Sequence, residues 1–238
     1  MREPVKSLLN RWALYLVPIS LGLMTISANA VAVDYTVELV VYSLLQRDSG
    51  AEQWSAPRSL PDTEASLILG ESGTRILEGP RNLQAIADTL RRSDRHRLLL
   101  HWHWQQPGWP ATQARPVLVQ IPAGVALPVT DLPSGLTKFS IDDAGDGQLS
   151  AASTSQAATP LLDGTVNLIA GEILQVDVDL LYRDSTLGVP VRLQESRRLR
   201  SGELNYLDHP RFGVLVQVTP VSAAVTAPMT APGQASPR

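Results

Sequence analysis

The alternation of apolar and polar residues predicts a protein made mainly of β-strands. Residues 173–183 give the cleanest pattern, with Leu174, Val176 and Val178 on one parity and polar residues on the other. Successive side chains of a strand point to opposite faces, so this pattern predicts a half-buried strand. Residues 35–42 form a largely apolar run, which predicts a strand that lies inside the sheet. Further strands are predicted at residues 96–107, 115–121, 163–169, 191–200 and 212–218.

One helix is predicted, over residues 82–90. Its apolar residues recur at helical spacing, and Pro80 lies just before it. Three arginines follow its C-terminal end: Arg91, Arg92 and Arg95. Positive charge at this end of a helix is favoured by the helix macrodipole, so a structural role is expected for them.

The first thirty residues have the features of a secretory signal peptide. Three basic residues are followed by an apolar run at residues 12–24 and by the small-x-small pattern Ala28-Asn29-Ala30. The run is short for a membrane span of about 20 residues, so we expect cleavage rather than an uncleaved anchor, and no membrane span afterwards. If the source is a Gram-negative bacterium, the predicted compartment is the periplasm.

The remaining chain is predicted to form a single α+β domain over residues 31–220. We expect a mainly antiparallel sheet with one main helix packed on one face. Residues 124–162 are rich in Pro, Gly, Ser, Ala and Asp, which predicts a long flexible insertion, and residues 221–238 predict a disordered tail. Trp54, in a polar loop, is expected to pin that loop to the core, with stacking on a ligand as the alternative.

Composition excludes several classes of function. Without residues 1–30 the chain loses three of its 20 basic residues and one of its 23 acidic residues, so its net charge falls from −3 to −5. An acidic protein is a poor general binder of nucleic acid, because attraction to phosphate dominates such affinity. The chain has no cysteine, which excludes thiol catalysis, thiolate metal sites and lipid attachment through cysteine.

Two pairs of residues carry candidate chemistry. His101 and His103 share one face of a predicted strand, but a stable metal site needs more ligands and supporting residues. We expect them to be polar-face histidines beside the core tryptophans Trp102 and Trp104, and we predict no metal and no cofactor. Asp177 and Asp179 also share a face, and paired carboxylates are typical of acid–base catalysis, as in glycosidases. A solvated strand face is expected instead, and the acidic turn at residues 142–147 lacks the ligand spacing of a calcium loop.

Residues 191–220 carry the candidate binding chemistry. Arg192, Arg198 and Arg200 are predicted to line one strand face, with Arg197 interrupting the other, and a polar connection at residues 204–210 follows. Planar guanidinium groups match carboxylates in pairs of hydrogen bonds. The candidate ligand-binding residues are Arg192, Arg197, Arg198, Arg200, Tyr206 and His209. In the alternative reading, the arginines pair with neighbouring acids such as Glu195 and Glu203.

Several motifs, taken in order, resemble a known family. They are YTVELVVY at residues 35–42, HWHWQQP at 101–107, LDGTV at 162–166, DLLYR at 179–183, and ESRRLRSGELNYLDHPRFGVLVQVTP at 195–220. The chain is similar to the CsiV family of periplasmic proteins over most of its length after residue 30, except for the insertion and the tail. The resemblance implies a non-enzymatic protein that binds peptidoglycan. It also implies support for cell-wall synthesis by a class A penicillin-binding protein and its outer-membrane lipoprotein activator.

Two other functions compete with peptidoglycan binding. A protein–protein adaptor of the cell envelope, with no direct contact to glycan, would use the edge strands of a sheet. A hydrolase would use Asp177, Asp179 or a histidine, but the chain has no GxSxG motif and no evident set of nucleophile, base and orienting group. The sequence therefore favours a binding protein over an enzyme.

Overall fold

The computed structural model describes residues 33–45, 55–134, 136, 138, 159–184 and 188–221. The predicted signal peptide, Trp54, the acidic turn at residues 142–147 and nearly all of the predicted tail lie outside these residues. The first part of the predicted insertion lies within them and is packed against the sheet. There the backbone N–H of Val129 donates to the carbonyl of Leu99 at 2.9 Å, and the N–H of His101 donates to the carbonyl of Val129 at 3.0 Å.

The described residues form two antiparallel sheets and one short helix. Sheet A has the strand order β2-β3-β1-β9-β8, and sheet B has the order β4-β5-β6-β7. The strands are β1 (Asp34–Leu44), β2 (Arg75–Ile76), β3 (His96–Pro107), β4 (Val117–Ile121), β5 (Leu162–Ala170), β6 (Leu174–Tyr182), β7 (Val191–Leu199), β8 (Leu204–His209) and β9 (Phe212–Pro220). The helix is α1 (Gln84–Arg92).

The predicted α+β class is wrong, because the protein is mainly β. Strand accounts for 48% and helix for 6% of the described residues. The strands that the sequence assigned to one sheet divide into two, which share one apolar core. The ring centroids of Tyr182 on β6 and Phe212 on β9 lie 5.5 Å apart within that core. A sheet with one apolar face can bury it against a second sheet as well as against helices, and local patterns do not distinguish the two partners.

Strand β1 lies in the middle of sheet A, as the sequence predicts. It pairs with β3 on one side and with β9 on the other. Val37, Leu39 and Val41 point into the core between the sheets, whereas Val40 and Tyr42 point to the opposite face. All five are buried, so both faces of this strand are covered.

Helix α1 covers part of the outer face of sheet A. Its residues Ala87, Ile86 and Leu90, with Leu83 just before it, pack on Val40 in a second apolar cluster. The helix predicted at residues 82–90 is thus confirmed, shifted by two residues. Among the residues that the structure describes, no helix has the length and apolar character needed to cross a membrane.

Gly164 brings β5 unusually close to β6. Its φ angle is +144°, and a Cβ placed there would lie 1.9 Å from the carbonyl oxygen of Asp179. A side chain of any kind would therefore collide with the neighbouring backbone. This explains the glycine of the LDGTV motif in physical terms.

Candidate ligand-binding surfaces

Strand β7 places two of the predicted arginines on the outer face of sheet B. Arg192 lies opposite Leu181 and Arg198 lies opposite Gln175, while Val191 and Leu199 face the core. The alternation predicted from the sequence is therefore confirmed for these two arginines. Arg200 follows the end of the strand, in the turn that leads to β8, and does not continue the row.

Arg192 is held by hydrogen bonds within the protein. Its Nε and Nη2 donate to the two carboxylate oxygens of Asp179, each at 2.7 Å. Its Nη1 donates to the hydroxyl of Ser59 at 2.8 Å and to the Ser59 carbonyl at 3.0 Å. The hydrogen bonds that Arg192 donates to Asp179 raise the pKa of Arg192. Arg192 thus ties the segment around Ser59 to sheet B and has few donors left for a ligand.

Two further arginines pair with neighbouring acids, as the alternative reading proposed. Arg197 forms an ion pair with Glu195, and both have the parity that faces the core. Arg200 lies 3.7 Å from Glu203, but its side chain is 85% exposed. Exposed pairs of this kind contribute little to stability. The side chain of Arg198 is exposed and makes no hydrogen bond or ion pair with another residue in the described part of the chain.

The outer face of sheet B around Arg198 is mainly polar. Ile169 and Gln175 lie in the same row as Arg198, Asn167, Asp177 and Ser196 lie in the next row, and Gln194 lies in the row after that. The Nε2 of Gln175 donates to the Oδ1 of Asp177 at 2.7 Å. Asp177 and Asp179 share this face as predicted, but the bidentate pairing of Asp179 with Arg192 gives the two carboxylates different partners. This arrangement offers amides, a hydroxyl, a carboxylate and a guanidinium for hydrogen bonding.

Tyr206 and His209 lie away from that face. Tyr206 is 44% exposed on the outer face of sheet A, and burial together with hydrogen bonds to Asp208 and Tyr42 raises its pKa. His209 ends β8, where its Nδ1 accepts the backbone N–H of Arg211 at 3.2 Å and its ring centroid lies 5.6 Å from that of Phe212. The six candidate residues therefore do not form one site.

His101 lies beneath helix α1, so the expectation of a polar-face histidine is wrong for this residue. It has no exposed surface, because α1 covers this face of β3. Its Nε2 lies 2.7 Å from Oε1 of Glu38 on β1. Trp102 and Trp104, on the opposite face of the strand, are buried in the core as predicted. His103 is partly exposed, and burial lowers its pKa.

Glu38 was not predicted from the sequence to have a role, but the structure places its carboxylate at the start of α1. Its carboxylate accepts the backbone N–H of Asn82 at 2.8 Å and that of Leu83 at 2.9 Å, in addition to the contact with His101. Burial alone would raise the pKa of Glu38, but the hydrogen bonds from His101 and Leu83 outweigh burial and lower it. The one sequence signal is an acidic residue inside the apolar run at residues 35–42.

The buried pair of Glu38 and His101 caps the start of helix α1. Helix α1 has no side-chain cap of its own and no acidic residue in its first turn, so Glu38 supplies the negative charge from the neighbouring strand. In the described residues, no group of three or more His, Cys, Asp or Glu side chains is placed to hold a metal ion.

The comparisons with known proteins identify one family. A family model described as "Peptidoglycan-binding protein, CsiV" matches residues 13–221. No match was found among curated proteins or among solved structures. The matched residues include every strand and the helix described above. The chain therefore belongs to the CsiV family.

Proposed function

We propose that this protein is a non-enzymatic, periplasmic accessory protein that binds peptidoglycan. The observation that carries the proposal is the match of residues 13–221 to a family model described as a peptidoglycan-binding protein. In the proposed role, the protein supports cell-wall synthesis by a class A penicillin-binding protein and its outer-membrane lipoprotein activator. The predicted signal peptide at residues 1–30 supports export to the compartment that contains the wall.

The proposed contact surface is the outer face of sheet B around Arg198, with Arg200 beside it. Peptidoglycan carries hydroxyl and acetamido groups on its sugars and carboxylates on its muramyl peptides. The amides of Gln175 and Gln194 suit the hydroxyl and acetamido groups, because each amide both donates and accepts. The guanidinium of Arg198, which has no partner among the described residues, suits a carboxylate. Arg192 and Arg197 are less suitable, since Asp179 and Glu195 already engage them.

Sedimentation of the protein with purified sacculi tests this proposal. We expect wild-type protein to sediment with the sacculi and to be released as salt rises, because ion pairs with carboxylates are screened. Arg198→Gln is expected to weaken binding by about threefold to tenfold, the equivalent of losing one exposed charge-assisted hydrogen bond.

Arg197→Gln is the matched control for that experiment. It removes the same charge one residue away, from the opposite parity of β7, where Glu195 already holds the guanidinium. Equal weakening by both variants would show a dependence on net charge alone and would exclude a site at Arg198. Absence of wild-type binding at low salt would refute wall binding itself.

A protein–protein adaptor is the second candidate, and one observation favours it. Strand β8 is at the edge of sheet A, with Leu204 45% exposed and Tyr206 44% exposed. An edge strand with apolar side chains can accept a strand from a partner. The adaptor role predicts that the lipoprotein or the synthase co-purifies with this protein after the wall is digested. Loss of both partners on digestion would instead favour contacts made through the wall.

A further inference from the structure

A cavity of about 550 Å³ lies where helix α1 ends and β3 begins. Its wall combines the end of α1, the first residues of β3, Leu45 just after β1, and the loop that contains Val125 and Leu127. Cavities of roughly 300–1,000 Å³ are typical of sites for small molecules. None of the six residues predicted from the sequence to bind a ligand lines this cavity.

The cavity is bordered by the basic stretch RRSDRHR at residues 91–97. This stretch has four arginines and one histidine against one aspartate, in a chain whose net charge is −3. Arg91 and Arg97 line the cavity. Arg91 forms an ion pair with Asp88, whereas Arg97 has no ion-pair partner among the residues that the structure describes. An unpaired guanidinium at the mouth of a cavity favours an anionic ligand.

His96 also lines the cavity, from the opposite face of β3 to Arg97, because His96 lies opposite Leu44 and Arg97 lies opposite Ser43. The Oγ of Ser93 accepts the backbone N–H groups of Arg95 and His96, both at 3.2 Å, and lies 3.0 Å from Nδ1 of His96. The Ser93 hydroxyl thus engages Nδ1, and Nε2 of His96 makes no hydrogen bond within the described part of the chain. The edge-on contact with Tyr42, at 5.4 Å between ring centroids, holds the ring in place.

The rest of the wall is apolar and incompletely covered. Leu98 is buried in the apolar cluster under α1, whereas Leu127 packs against the core between the two sheets. Leu45 and Val125 line the cavity and are 47% and 38% exposed. Small apolar groups placed against these residues would remove that surface from water.

From these observations, we infer that the cavity binds the free carboxylate end of a peptide with small apolar side chains. The carboxylate would bind Arg97, and the methyl groups would pack against Leu45, Val125 and Leu127. The inference rests on the proposed function, because the alanine-terminated peptide stems of peptidoglycan have this chemistry. It adds a peptide site that is separate from the polar face around Arg198.

Titration of the full chain with N-acetyl-D-alanyl-D-alanine, followed by NMR of the backbone amides, tests the inference. We expect saturable shifts at His96, Leu98 and Val125. The C-terminal amide of the same dipeptide, which lacks the negative charge, is expected to bind at least about tenfold more weakly. Equal shifts with the two peptides, or no saturable shift with the acid, would overturn the proposal.

Two substitutions make the test specific for the cavity. Arg97→Gln is expected to weaken binding of the acid by about tenfold or more. Arg95→Gln removes the same charge from an exposed side chain outside the cavity and is expected to bind like wild type. Equal losses in the two variants would refute a role for Arg97. A thermal unfolding curve for each variant verifies that the fold is unchanged.

Sedimentation with sacculi separates failure of this inference from failure of the proposed function. Wild-type protein that sediments with sacculi but gives no dipeptide shifts would refute the cavity site and leave wall binding in place. Protein that gives the expected shifts but fails to sediment would refute wall binding and leave a site for free peptide carboxylates.

Discussion

Replacement of Glu38 by glutamine tests the account of the buried pair most directly. The carboxylate accepts three hydrogen bonds, from His101 Nε2 at 2.7 Å, Asn82 N–H at 2.8 Å and Leu83 N–H at 2.9 Å. The first and third share Oε1, and the second uses Oε2. A glutamine whose oxygen replaces Oε1 keeps two acceptor contacts, but its NH₂ group then faces the N–H of Asn82.

The expected loss of stability follows from those contacts. Losing a hydrogen bond to a charged group costs about 1.5–3 kcal/mol. Removing negative charge from the start of α1 costs about another 0.5–1 kcal/mol. We therefore expect Glu38→Gln to lower the free energy of unfolding by about 2–4 kcal/mol. For a domain of roughly 150–250 residues, this corresponds to a fall in Tm of about 5–15 °C.

Circular dichroism during thermal and urea unfolding at pH 7 measures this change. Glu78→Gln is the control, because Glu78 is exposed and the same substitution there should alter stability by less than about 0.5 kcal/mol. The urea m-value should stay the same, so that the change reflects stability rather than compactness. A Tm for Glu38→Gln within about 2 °C of the control would refute the claim that Glu38 caps α1.

Two further predictions concern acid and the close contact at Gly164. The pKa of Glu38 is lowered from its ordinary value of 4.5, so its contribution to stability is present above about pH 4.5 and is lost as the pH falls through the lower pKa of the folded protein. The Tm difference between wild type and Glu38→Gln should therefore shrink below that pH. A constant Tm difference from pH 7 to pH 3 would contradict the lowered pKa of Glu38. Gly164→Ala should lower the free energy of unfolding by at least about 3 kcal/mol, because the new Cβ meets the backbone of Asp179. Gly171→Ala is its control, because a Cβ at Gly171 would have no atom within 4 Å. Similar urea midpoints for the two variants would contradict the predicted steric clash at Gly164.

Local patterns predicted the strands but not their division into two sheets. The alternation of Arg192 with Leu193 depends only on neighbouring residues, and the structure confirms it. The chain then passes from sheet B to sheet A between Leu199 and Leu204, where Ser201 and Gly202 mark a turn but nothing indicates a change of sheet. The polar connection predicted at residues 204–210 is in fact largely strand β8, whose exposed position at a sheet edge accounts for its polar composition.

The candidate sites depended even more on contacts between distant residues. Glu38 and His101 are 63 residues apart in the chain, and only the pairing of β1 with β3 brings them together. The cavity beside Arg97 needs Leu45 and Val125 from two other segments. In contrast, the position of Arg198 on the outer face of sheet B followed from its parity on β7. Sequence alone could therefore predict which face a side chain occupies, but not what lies above that face.

The ion pair of Arg197 with Glu195 has a consequence for the behaviour of the protein at high concentration. Both residues have core-facing parity on β7, the edge strand of sheet B, and their charges obstruct the addition of a strand from a second molecule. The opposite edge, β4, is bridged by Leu67 of the same chain. Sheet B therefore resists growth into aggregates at both edges, and loss of the charges at residues 195 and 197 would favour self-association before it affected the fold.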